Sequence, residues 1–348
     1  MTIAQLGRRA FGACAAAVLV ACGGSLTTPN TASPAGSATR SLAHHDGAGC
    51  PLKRFIIATS QNGYKNKPLP AVLFFAKDAS GNVSPAGEIS GSNTMLSFPS
   101  GLAMDLHGNI YVANPYHDAI TVYAAGSEGN VAPIRTIAGA RTKLNSPTGL
   151  AVDSNDELYV ANNPNYGAGW IDVYASNANG NAAPIRAIRG SKTHLYSPWG
   201  LAFDSQSSLY VANDDPNTGW ITVYSPGAKG NVLPQRTIEG SATKLEGPTG
   251  LGVDSSGYIY VAQFESVSIF GPGANGNEAP VSHFAAPIYA FGIALDVHDN
   301  MYVTSVGYDD PPLISVIAAG TTGNEGHVLR TIEGKKTKLV LPEGIIVR

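Results

Sequence analysis

The chain has 348 residues, with 40 glycines, 23 prolines and only 14% charged side chains, a composition suited to many short strands and turns rather than long helices. A hydrophobic content of 43% excludes a disordered chain. The formal net charge of −3, with no basic stripe, argues against nucleic acid as the main partner.

Residues 1–21 read as an export signal. Arg8 and Arg9 supply the positive end, and Ala10 to Ala21 form a mildly apolar stretch of small residues too short to span a bilayer. The stretch ends in Leu19-Val20-Ala21-Cys22-Gly23, which resembles a bacterial lipobox. The resemblance implies that Cys22 becomes the mature N-terminus and carries lipid, each buried CH₂ contributing about 0.8 kcal/mol to membrane anchoring. Gly23 after the cysteine then implies the outer membrane in a Gram-negative cell. Arg8-Arg9-Ala10-Phe11 resembles the core of a twin-arginine signal, and the flanking residues leave the general secretory route equally open. Cys14 leaves with the signal and Cys22 is lipidated, so Cys50 has no partner for an intramolecular disulfide. Residues 22–52 are dominated by small and polar residues and read as a flexible tether, with His44 and His45 in a solvated stretch.

Residues 53–348 carry one motif repeated at intervals of roughly 50 residues. Pro99-Ser-Gly-Leu-Ala-Met-Asp105 recurs at 147–153, 198–204 and 248–254, more loosely at 290–296, and finally as Pro342-Glu-Gly-Ile-Ile-Val-Arg348. Each copy predicts four strands. Strand A is the Gly-Leu-Ala-Val run, and strand B follows as Ile110–Asn114, Leu158–Asn162, Leu209–Asn213 or Ile259–Gln263. Strand C alternates, as in Ile120–Tyr123, Ile171–Tyr174 and Ile221–Tyr224. Strand D is Ile134–Ile137 and its counterparts, after a hairpin with a Gly-Asn pair whose residues suit positive φ. The first copy has B, C and D but no A, and the last has only A, at 344–347. These features predict an all-β, six-bladed β-propeller of four antiparallel strands per blade, its ring closed by the C-terminal strand completing the N-terminal blade. The Pro-x-Gly-Leu-Ala-Val-Asp, Leu-Tyr-Val-Ala-Asn and Ile-x-Val-Tyr pattern resembles NHL-repeat propellers across 53–348, which implies a fold that serves scaffolds, binding modules and enzymes alike.

In this strand order the D–A and B–C loops share one face, here called the top. The residues before the strand A glycines (Ser100, Thr148, Trp199, Thr249, Phe291 and Glu343) and those ending strand B (Thr59, Asn114, Asn162, Asn213, Gln263 and Ser305) are expected to ring the channel there. The B–C loops add Tyr64, Tyr116, Tyr166 and Tyr308. Aromatic rings and carboxamides on one face suit recognition of a peptide or glycan, and short amides also cap their own turns. Regucalcin- and gluconolactonase-like propellers hold a divalent cation over the channel through a Glu and an Asn before the inner glycines and an Asp ending strand B. Glu343 matches the first, while no Asn precedes an inner glycine and no Asp ends strand B. The histidines scatter, and none groups with an acid on the top face. The expectation is therefore an exported, lipid-anchored, non-catalytic binding or scaffold module without a cofactor or metal, its partners the membrane through Cys22 and a protein or glycan at the top face. The alternative is a lactonase-like exported hydrolase or lyase using Glu343. A purely structural envelope role is a third reading.

Overall fold

The computed structural model describes residues 55–61, 69–164, 167–215, 218–307, 311–321, 323 and 326–348. Residues 1–54, with the expected signal, Cys22 and the expected tether, lie outside the described residues, as do Tyr64, Tyr166 and Tyr308.

Among the described residues the chain is all-β, with three single 3-10 turns at Pro115–His117, Ser241–Thr243 and Lys335–Thr337. The first repeat supplies β1 (Phe55–Ser60), β2 (Ala71–Ala76) and β3 (Gly87–Ser90). The second supplies β4 (Leu102–Met104), β5 (Ile110–Asn114), β6 (Ala119–Tyr123) and β7 (Arg135–Ala138). The third supplies β8 (Pro147–Val152), β9 (Leu158–Asn162), β10 (Trp170–Tyr174) and β11 (Arg186–Ile188), and the fourth β12 (Pro198–Phe203), β13 (Leu209–Asp214), β14 (Gly219–Tyr224) and β15 (Arg236–Ile238). The fifth and sixth share β16 (Gly250–Val253), β17 (Ile259–Phe270), β18 (Ser282–Leu295), β19 (Met301–Val306), β20 (Leu313–Ile317) and β21 (Val328–Glu333), and β22 (Ile345–Val347) follows.

Each of the second, third and fourth repeats is a four-stranded antiparallel meander. β22 pairs antiparallel with β1, Ile345 opposite Ala58 and Val347 opposite Ile56, giving the first repeat its fourth strand. The fifth and sixth repeats depart from the expected pattern and form one six-stranded sheet. The B–C junction of the fifth is Gln263-Phe264-Glu265-Ser266, with neither proline nor glycine, so β17 runs through it and turns at Glu265, whose φ is 59°. β18 likewise runs from the fifth repeat's D strand into the sixth repeat's A strand.

The core lies between neighbouring sheets. Ala103, Tyr111, Ala113 and Ile120 of the second repeat pack against Leu150, Val152, Leu158 and Val160 of the third, all 2% exposed or less. Every residue of β5 and β9 is buried because each sheet is covered on both faces, which is why strand B is apolar throughout. Burial of each Leu, Ile or Val stabilises by about 1.5–3 kcal/mol. The inner strands approach so closely that only glycine fits at the repeated position. A Cβ on Gly149 would stand 1.8 Å from the Trp199 carbonyl oxygen, and one on Gly344 would stand 2.3 Å from that of Ser100.

The Gly-Asn hairpins do more than turn the chain. Among the described residues only the glycine of each pair adopts positive φ, for example 75° at Gly129. The asparagine reaches into the preceding repeat, where Asn130 Oδ1 accepts from the Asn93 backbone N–H at 2.7 Å and Asn181 Oδ1 from that of Arg141 at 2.7 Å. Asn231, Asn277 and Asn82 do the same to Lys192, Ala242 and Lys336, the last joining the first repeat to the sixth. The hairpin glycines also form parallel bridges to the neighbouring D strands, from Ile89↔Gly129 round to Gly81↔Ile332.

Candidate functional site

The candidate site is the top face, where strand B ends and the D–A loop returns. Asn114, Asn162 and Asn213 are completely buried there. Asn114 Oδ1 accepts from the Ser97 N–H at 2.8 Å and its Nδ2 donates to Thr121 Oγ1 at 3.1 Å. Asn213 repeats this with Tyr196 N–H and Thr222 Oγ1, at 3.0 and 3.1 Å. Asn162 accepts from Asn145 N–H at 2.9 Å and donates to Asp172 Oδ2 at 3.0 Å. Each amide pins the D–A loop to strand C of its own repeat, so both ends of the side chain are engaged within the framework.

The residues before the inner glycines are also drawn inward. Thr148 Oγ1 donates to the Pro198 carbonyl at 3.0 Å and Thr249 Oγ1 to that of Ala290 at 2.9 Å, which links successive repeats. Trp199 is only 3% exposed and packs with Phe291 and Val306, flanked by Tyr289 and Leu341. Glu343 is fully buried, and its carbonyl accepts from Thr304 Oγ1 at 3.1 Å. Tyr116 contrasts with all of these. It sits on the 3-10 turn Pro115–His117, is 60% exposed, and lies 4.3 Å, centroid to centroid, from the Phe98 ring.

The donor set does not fit a divalent cation. A hard dication takes six to eight oxygens, with carboxylates favoured. Here the carboxamide oxygens of Asn114, Asn162 and Asn213 already accept from backbone N–H groups, and Glu343 is the single carboxylate among the six residues before the inner glycines. Among the described residues no three His, Cys, Asp or Glu side chains come together as a ligand set.

Two features of this face escaped the sequence reading. His194, from one D–A loop, stacks on Trp220 with centroids 4.9 Å apart and places Nε2 3.0 Å from Glu239 of the next, so a histidine does meet an acid on this face. Asp172, on strand C of the third repeat, is a buried carboxylate that accepts from Trp170 Nε1 at 2.7 Å beside Asn162. Burial pushes its pKa up to about 6, against the opposing hydrogen bond from Trp170 and the positive charge of Arg189. Arg189 lies over the Trp170 ring at 3.8 Å. The visible signal was an acid where the parallel strands carry Thr121 and Thr222.

Repeated antiparallel sheets, latched in series with their inner strands packed edge to edge, define a β-propeller. Residues 144–166 match the NHL repeat, spanning the end of one D–A loop and strands A and B of the third repeat. No curated protein matches the chain in sequence. Among solved structures, a protein of unknown function from Bacteroides caccae superposes with a TM-score of 0.60 at 10% identity, covering 85% of this chain and 98% of that one. The periplasmic gluconolactonase PpgL of Pseudomonas aeruginosa gives 0.55 at 14% identity, covering 80% and 82%. The WD40 β-propeller domain of Doa1 gives 0.51 at 10% identity, covering 81% and 80%. At these identities the likeness concerns the fold alone.

Proposed function

We propose that this chain is an exported, lipid-anchored propeller of six blades, closed by its C-terminal strand, that acts as a non-catalytic binding or scaffold module for a protein or glycan at its top face. The pairing of β22 with β1 and the Asn82 contact with the Lys336 N–H support the closure. The lipobox at Cys22 supports the anchor, with residues 1–21 as signal and 22–52 as tether. The observation that carries the binding reading is the exposed Tyr116 ring against the half-buried Phe98, on a face whose other described candidate side chains are buried in the framework. Aromatic faces of this kind supply contact area at low conformational cost and suit either a peptide or a sugar ring.

The test is binding of cell-wall glycan and of outer-envelope proteins by the wild type and Tyr116→Ala. An exposed substitution should move stability by no more than about 0.5 kcal/mol. Loss of binding with unchanged Tm supports the proposal, and equal binding by both proteins refutes it.

The lactonase-like reading is favoured by one observation, the fully buried Glu343 beside the inner glycine Gly344. It is tested by unfolding the wild type and Glu343→Gln with EDTA and then with excess Ca²⁺ or Zn²⁺. A cation at 100 times its Kd would stabilise by about 2.7 kcal/mol. A shift present only in the wild type would favour the enzyme, and the expected result is no metal-dependent shift in either protein.

A further inference from the structure

On the face opposite the top, formed by the A–B and C–D turns, a strand D arginine clamps the second, fourth and sixth repeats each to the repeat that follows, while the first and fifth repeats carry Gly87 and Ser282 at that position. Arg135 of the second repeat donates to the Tyr111 hydroxyl at 2.7 Å and to the Ala178 carbonyl of the third repeat at 3.4 Å. Arg236 of the fourth donates to the Tyr210 hydroxyl at 2.7 Å and to the Ala274 carbonyl of the fifth at 2.8 Å. Arg330 of the sixth donates to the Tyr302 hydroxyl at 3.4 Å and through Nε to the Ala79 carbonyl of the first at 3.1 Å. In each case the tyrosine hydroxyl also donates to the Asp that ends strand A, at 3.2–3.3 Å.

The third repeat breaks this pattern. Arg186 is turned back onto Glu157 of its own repeat and onto the Tyr159 hydroxyl. Among the described residues it bonds no carbonyl of the fourth repeat, and its buried Nε has no hydrogen-bond partner. The cause is legible in sequence. Glu157 stands where the other A–B turns carry Asn109, Ser208, Tyr258 and Asn300, none of which can form an ion pair with the arginine. Ala228 is the counterpart of Ala178, and Pro226 that of Ser176, whose carbonyl Arg135 also reaches at 2.5 Å; Pro226 and Gly227 instead line an open cleft of about 510 Å³ between the two repeats. That volume falls within the roughly 300–1,000 Å³ of small-molecule sites.

We propose that this cleft, made by the diverted Arg186 clamp, binds a small, neutral, polyhydroxylated ligand of monosaccharide to disaccharide size. Asp153, Ser154, Asn155 and Ser207 offer hydrogen-bonding groups around it, and Lys229 adds a donor. Phe203, edge-on to Tyr159 with centroids 4.9 Å apart, gives an apolar surface for the carbon face of a sugar ring. The ionisable side chains of the lining, Asp153, Glu157, Arg186 and Lys229, balance in formal charge, which favours a neutral ligand over an ionised one. The site is separate from the top-face reading and does not depend on it.

The experiment is saturation-transfer NMR on the full chain with glucose, N-acetylglucosamine, cellobiose and glucuronate, each at about 10 mM, where a site with millimolar Kd is largely occupied. Transfer to at least one neutral sugar is expected. Glu157→Asn, which installs the residue of the second and sixth repeats, should release Arg186 to the fourth repeat and weaken that sugar by about tenfold or more. Its crystal structure should show Arg186 on the carbonyl of Pro226 or Ala228. Ser154→Trp should block the cleft without touching the clamp, and Tyr116→Ala should leave sugar binding unchanged. Absence of transfer to every neutral sugar overturns the proposal. So does undiminished binding by both cleft variants, or a preference of about tenfold for glucuronate over glucose.

Discussion

Replacing Asp172 by asparagine should make the protein more stable at neutral pH and leave it nearly unchanged in acid. Asp172 occupies the β10 position where the parallel strands carry Thr121, Thr222, Ser268 and Ser315, and it is 1% exposed. Burial holds its proton up to about pH 6, whereas an unfolded aspartate releases it near 3.8. Between those values the native state binds more protons than the unfolded state, so stability falls as pH rises through the window and is level above it. At about 1.36 kcal/mol per pKa unit the upper limit is roughly 3 kcal/mol, and water reaching the carboxylate brings it nearer to 2. Asparagine keeps a carbonyl oxygen for Trp170 Nε1 and Asn162 Nδ2 and never ionises. Differential scanning calorimetry of both proteins from pH 4 to 8 should show Tm values that nearly coincide at pH 4. The variant should lead by about 4 °C above pH 7, at about 2 °C per kcal/mol for a domain this large. The other titrating groups are common to both proteins and cancel. A gap that is constant across the range, or a variant that is less stable at pH 8, would refute the reasoning.

Ser197→Gly should raise the denaturant midpoint. Ser197 precedes Pro198 with φ at 38°, and its buried Oγ has no hydrogen-bond partner among the described residues. Relief of a left-handed conformation and of a buried hydroxyl, less the added freedom of unfolded glycine, leaves a gain of about 1 kcal/mol, and a lower midpoint would contradict it. Ile345→Ala removes a fully buried side chain from β22 and should cost about 2–5 kcal/mol of global stability. An unchanged urea midpoint would mean that the terminal strand contributes nothing to the fold.

The strands were legible because their sequence carries its own punctuation. Ile110–Asn114 and Leu158–Asn162 coincide with β5 and β9 to the residue, since an apolar run bounded by polar turns has one way to lie between two covered faces. The fused sheet of the fifth and sixth repeats was not legible, because it comes from the absence of a breaker around Glu265 rather than from a positive signal. The site was harder still. Asn114 and Asn213 belong to a residue type that can face a ligand or cap a loop, and only the positions of the Ser97 and Tyr196 N–H groups decide between the two. Trp199 is buried because Phe291 and Val306 arrive from a distant repeat to pack against it, which no local pattern announces. The Arg186 cleft was open to a reading that aligned the A–B turns column by column, since a single acid at Glu157 sets it apart.

The strand that completes the first repeat comes from the far end of the chain, 285 residues from its partner at the Gly344–Thr59 contact. Its place on β1 recognises three backbone pairings and two buried isoleucines, all of which another copy of the chain carries as well. Within one molecule the tail meets its partner at an effective concentration on the order of millimolar, so self-closure prevails in dilute solution. Wherever copies are crowded to a similar density, the same groove would accept a neighbour's tail. An exchange of strands would then link one copy to the next without a single new contact having evolved.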